Sequence, residues 1–125
     1  MQPLSVLIAE TNATLLKITA RFLGEQFASD LTISGLASSD QEALALSLEL
    51  QPQLILLGVS GWTPSGQSMV RELRALAPRA AIVVMGNSDI DGYQQAALAA
   101  GADAFLPKWS LKTGLLPIIQ RLAAC

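Results

Sequence analysis

Five short apolar runs alternate along the chain with five segments in which apolar residues recur every three or four positions. The runs are Leu4 to Ala9, Leu31 to Leu36, Leu54 to Leu57, Ala81 to Met85, and Ala104 to Leu106. The third and fourth are almost continuously apolar, as strands covered on both faces should be. Between the runs, Leu15, Ile18, Phe22 and Leu23 share helical spacing, as do Met69, Leu73, Leu76 and Ala77, and then Leu115, Ile118, Ile119 and Leu122. Each set predicts a helix with one core-facing stripe. Strands and helices in strict alternation predict an α/β fold, a parallel sheet between two helical layers.

Local signals place the element ends. Ser39 followed by Glu42 is a capping box that opens the second helix, and Gln51-Pro52 closes it. The fourth helix, from about Asp91 to Ala100, stops at Gly101, a residue suited to a left-handed cap. Pro117 is compatible with the last helix if that helix begins near Thr113, so that the missing amide falls in or near the first turn. No linker, repeat or low-complexity stretch interrupts the pattern, which predicts a single domain over residues 1–125. For five strand-helix repeats the economical topology is a flavodoxin-like three-layer sandwich with strand order 2-1-3-4-5 and five helices. Its functional crevice lies beyond the carboxyl ends of strands one and three.

Composition narrows the function classes. A chain of 125 residues suffices for one core, and 51% apolar against 14% charged residues leaves a surface poor in ion pairs and suited to protein contacts. Eight basic residues against ten acidic ones, scattered along the chain, offer no track for a phosphate backbone, so nucleic-acid binding by this domain is not expected. Histidine is absent, which removes the commonest general base and metal ligand. The single cysteine, Cys125, rules out an internal disulfide, and no apolar run is long enough to span a bilayer. A cytoplasmic protein without enzymatic activity is the expectation.

The strand ends carry the remaining information. Strand one runs into Glu10-Thr11, strand three ends at Gly58, and strand four ends in Gly86-Asn87. Strand five lies in Ala100-Gly101-Ala102-Asp103-Ala104-Phe105-Leu106-Pro107-Lys108, with Trp109 next, and the loop after strand three runs from Gly58 through Trp62 to Gly66. In these spacings the whole chain resembles the response-regulator receiver domains, the CheY-like family. In that family strand one ends in an acidic pair that holds magnesium, strand three in the aspartate that accepts a phosphoryl group, strand four in threonine or serine, and strand five in a lysine. The resemblance implies that Glu10 is one member of the acidic pair, with Thr11 in the place of the other. It sets Gly58 at the acceptor position, Gly86 at the switch hydroxyl and Lys108 at the phosphate-binding lysine. Phe105 takes the place of the aromatic whose rotamer reports activation, and Trp62 and Trp109 stand where prolines are usual.

Three of those positions depart from the family's chemistry, which points to a degenerate receiver, or pseudo-receiver. Glu10 alone is a poor magnesium site, since that ion normally takes two or more carboxylates. Ser60 has no base to activate it as a substitute nucleophile. No catalytic residue, metal or cofactor is therefore expected. Lys108 is expected either to pair with Glu10, directly or through water, or to extend its ammonium to solvent. Gly58 and Gly86 vacate space at adjacent strand ends, to be filled by Trp62, Trp109, water or a ligand, and the two tryptophans serve as partner anchors or as lids. The leading functional expectation is an atypical receiver domain that signals by phosphorylation-independent protein contact. Its partner, a second copy or another protein, would meet the face of helix four, strand five and helix five, with Tyr93, Ala96, Ala97 and Ala100 as its apolar surface. The alternatives are a small-ligand sensor using the vacated crevice, and a conventional phosphorylated receiver with a non-standard site.

Overall fold

The computed structural model describes residues 3–59, 64–86, 91–107 and 110–123. Its elements are β1 (Leu4–Ala9), α1 (Ala13–Gln26), β2 (Leu31–Ala37), α2 (Asp40–Leu50), β3 (Leu54–Gly58), α3 (Pro64–Leu76), β4 (Ala81–Gly86), α4 (Asp91–Ala100), β5 (Ala104–Pro107) and α5 (Leu111–Ala123). The strands form one parallel sheet in the order β2-β1-β3-β4-β5. Each strand lies within one residue of its apolar run. β3 and β4 are buried along their whole length, which is why they read as continuous hydrophobic stretches.

The sheet separates two cores. One face carries Leu7, Ile55, Ile82 and Val84 against Val70 and Leu73 of α3 and Ala97 of α4. The other carries Val6, Ile8, Leu56 and Val83 against Leu16 and Leu23 of α1 and Leu115 and Ile119 of α5. Among the described residues, no helix is long and apolar enough to cross a membrane.

The terminal signals act as expected at α2 and α4. Ser39 accepts from the Glu42 amide at 3.1 Å, while the Glu42 carboxylate accepts from the Ser38 amide at 2.6 Å. Gln51 closes α2 in the left-handed region, with φ of 45°, and its side-chain amide donates to the carbonyls of Ser47, Leu48 and Leu76. Gly101 follows α4 with φ of +120°, a conformation that favours glycine. Inside α2, Ser47 is fully buried with no hydrogen-bond partner for its hydroxyl, a polar group held out of water at a net cost.

Two expectations change. In α1 the buried row is Leu16 and Leu23, continued by Phe27, with Ala20 and Phe22 partly buried, and Ile18 is 57% exposed. Two apolar rows one residue apart overlap in this helix, and the sheet takes the row with Ala20, whose small side chain lets the backbone come close. In α5 the helix begins at Leu111, so Pro117 is an interior residue and not a first-turn one. It removes the donor for the Thr113 carbonyl, but Thr113 and Pro117 are both exposed, and water reaches the freed group.

Candidate functional site

β1 and β3 are neighbours, and Ala9 is the register partner of Leu57. The next residues, Glu10 and Gly58, therefore leave the sheet side by side. Glu10 is only 6% exposed. Its amide donates to the Ala37 carbonyl at 2.9 Å, and its Oε2 accepts from the Asn12 amide at 3.1 Å. Asn12 is in turn the N-cap of α1, accepting from the Leu15 amide at 3.0 Å. The start of α1 thus holds one oxygen of the Glu10 side chain.

The side chain lies across Gly58. A Cβ built on Gly58 would overlap Glu10 Oε1 and stand 2.9 Å from Glu10 Cδ. The carboxylate of strand one occupies the volume that a side chain at the end of strand three would need. Among the described residues, a recess of about 10 Å³ lies beside it, lined by Ala9, Glu10, Thr11, Ser39, Asp40, Leu57 and Gly58, enough for about one water. Thr11 is exposed at its mouth.

The second glycine is filled in the same manner. Phe105 of β5 is buried at 7% exposure, with Val84 of β4 as its register partner. Its ring tip reaches along β4 to Gly86, where a built Cβ would lie 2.6 Å from Cζ and 3.1 Å from Cε2. The expectation that Trp62, Trp109, water or a ligand would fill both spaces is corrected here: Glu10 fills the first and Phe105 the second. Each comes from the strand next to the glycine, a relation set by register and invisible in the linear spacing.

The structure brings Glu10, Thr11 and Gly58 together at one end of the sheet, with Gly86 on the adjacent strand β4 and Phe105 on β5 beyond it. Ser60, Trp62, Lys108 and Trp109, with the side chain of Tyr93, lie outside the described residues, and so does the expected Lys108–Glu10 pair. The α4 surface differs from expectation. Ala97 and Ala100 are core residues at 0% and 7% exposure and face the sheet, while Ala96 is half-buried. Among the described residues, the exposed large apolar side chains of the two helices that contact β5 are Leu98 of α4 and Leu116 of α5, each 43% exposed.

Magnesium, which the resemblance implies, fits poorly. Among the described residues no group of three or more carboxylate, histidine or cysteine side chains is placed to hold an ion. Glu10 and Asp40 both line the recess, yet an ion that keeps several of its waters needs more room than one water's volume.

Residues 6–120 match the sequence profile of the response regulator receiver domain. An uncharacterized transcriptional regulatory protein, YxjL, from Bacillus subtilis is 29% identical over 94 residues, 75% of this chain and 43% of that protein. The chain thus spans less than half the length of that curated relative. Among solved structures, a LuxR-family two-component response regulator from an Aurantimonas species superposes with a TM-score of 0.82 at 19% identity, covering 98% of this chain and 86% of the other. The receiver domain of the response regulator NarL from Mycobacterium tuberculosis gives 0.81 at 20% identity, over 99% and 98% of the two chains. At such identities the superpositions speak to the fold.

Proposed function

The chain belongs to the response regulator receiver family, and from that premise we propose that it is an atypical receiver, signalling by protein contact without accepting a phosphoryl group. The observation that carries this reading is the Glu10 carboxylate lying over Gly58. Strand three ends without a nucleophilic side chain, and the volume such a side chain would need is taken by a buried acid held by the Asn12 amide. Phosphoryl transfer to a carboxylate requires the acceptor oxygen, a metal to neutralise charge and room for the incoming group. Gly58 offers no side-chain oxygen as acceptor, and the recess beside it has room for about one water. The same small recess speaks against a ligand-sensing role for that part of the site.

The contact surface in this reading is the face of α4, β5 and α5, whose helices carry the exposed Leu98 and Leu116. Its occupant is a second copy or another protein. Sedimentation equilibrium tests it. Self-association is expected to be the same with and without acetyl phosphate and magnesium, and to weaken at least tenfold, roughly the effect of losing one good apolar contact, in the double variant Leu98→Asp/Leu116→Asp. A strict monomer at high concentration, with no partner recovered by pull-down, contradicts it.

A further inference from the structure

β5 is held by glycines on both faces. On one side the Phe105 ring tip rests against Gly86, with a built Cβ 2.6 Å from Cζ. On the other, Leu106 meets α5 at Gly114, where a built Cβ would lie 2.7 Å from Leu106 Cδ2 and 3.2 Å from Cδ1. Two consecutive side chains, pointing to opposite faces, each have their tip in the space that a Cβ on a neighbouring glycine would need. Packed interiors hold such arrangements in discrete states, because a ring tip with backbone in front of it has no intermediate position.

We propose that Gly86 and Gly114 lock β5 into one side-chain arrangement, with the Phe105 ring permanently turned inward, so that the α4–β5–α5 face is pre-set instead of switched. This goes beyond the absence of phosphoryl acceptance. A receiver with an inert crevice still has the option of an aromatic that moves between inward and outward positions, and here the glycine at residue 86 leaves the buried ring a close-fitting inward seat that a Cβ would take. The residue at 86 is then the positioning residue for Phe105.

The test is aromatic NMR on protein labelled at phenylalanine. Wild type is expected to show one set of Phe105 ring signals, with cross-peaks to the Gly86 α-protons and no exchange broadening in relaxation dispersion. Gly86→Ala is expected to lose those cross-peaks and shift the ring signals, because the added methyl takes the ring's place. Gly114→Ala is expected to shift the Leu106 methyl signals. Millisecond exchange of the Phe105 ring in wild type overturns the proposal by itself, whether or not the variants fold. Ring cross-peaks to residue 86 that persist unchanged in Gly86→Ala overturn it as well. None of these readouts involves a phosphodonor, so a phosphorylated wild type would defeat the proposed function and leave this inference to its own result.

Discussion

Aspartate in place of Gly58 is expected to lower stability by about 3 kcal/mol and to yield no working acceptor. The Cβ alone overlaps Glu10 Oε1, and the carboxylate beyond it would bring a second negative charge into a recess with room for one water. Gly58→Ala separates the two effects: it carries the steric part only and should cost about 1–2 kcal/mol, the usual range for overpacking. Removing Glu10 in the same molecule makes room. The double variant Gly58→Asp/Glu10→Ala is therefore expected to recover about 2 kcal/mol relative to the sum of the single changes, a coupling typical of residues in direct contact. Urea unfolding of the four proteins of this cycle measures it. Full stability in Gly58→Asp would mean that Glu10 leaves its place freely, against the geometry described above.

The second large effect lies at the opposite end of the sheet. Arg74, in the last turn of α3, donates from Nε and Nη2 to the Gly101 carbonyl at 3.1 and 2.9 Å, and from Nη1 to the carbonyls of Pro78 and Ala80 at 3.2 and 2.7 Å. Nη2 also pairs with Asp103 at 2.6 Å, and the same Asp103 oxygen accepts from the Ile82 amide at 2.8 Å. One guanidinium thus ties α3 to the turns that lead into β4 and β5. Arg74→Ala is expected to cost about 3 kcal/mol, because several carbonyls lose a charged donor at once. Arg74→Lys should recover less than half of that, since an ammonium cannot reproduce the fork. The side chain keeps 30% of its exposure, so water compensates part of the loss and the estimate stays well below the sum of the bonds. A measured change under 1 kcal/mol would show that these bonds are replaced by solvent without penalty.

Arg74 also illustrates what the sequence does not display. Its spacing marks it only as a polar residue near a helix end, and its four acceptors, on Pro78, Ala80, Gly101 and Asp103, come from two separate turns. The layer architecture and strand order were legible because buried parallel strands have a sequence pattern of their own, and β3 and β4 show it without interruption. The strand ends were legible for the same reason. What strand ends do to one another was not. Glu10 and Gly58 are 48 positions apart in sequence, and only the Ala9–Leu57 register makes one fill the other. Helix faces failed where two apolar rows compete, as at Ile18, or where alanines read as surface proved to be close-packing residues, as at Ala97 and Ala100.

Intact-mass measurement after incubation with acetyl phosphate and magnesium tests the central claim most directly. The wild-type chain is predicted to keep its unmodified mass, with Gly58 offering no oxygen and Glu10 held against it. The addition of one phosphoryl group to the wild-type chain, and above all one that survives in Ser60→Ala, would contradict the account.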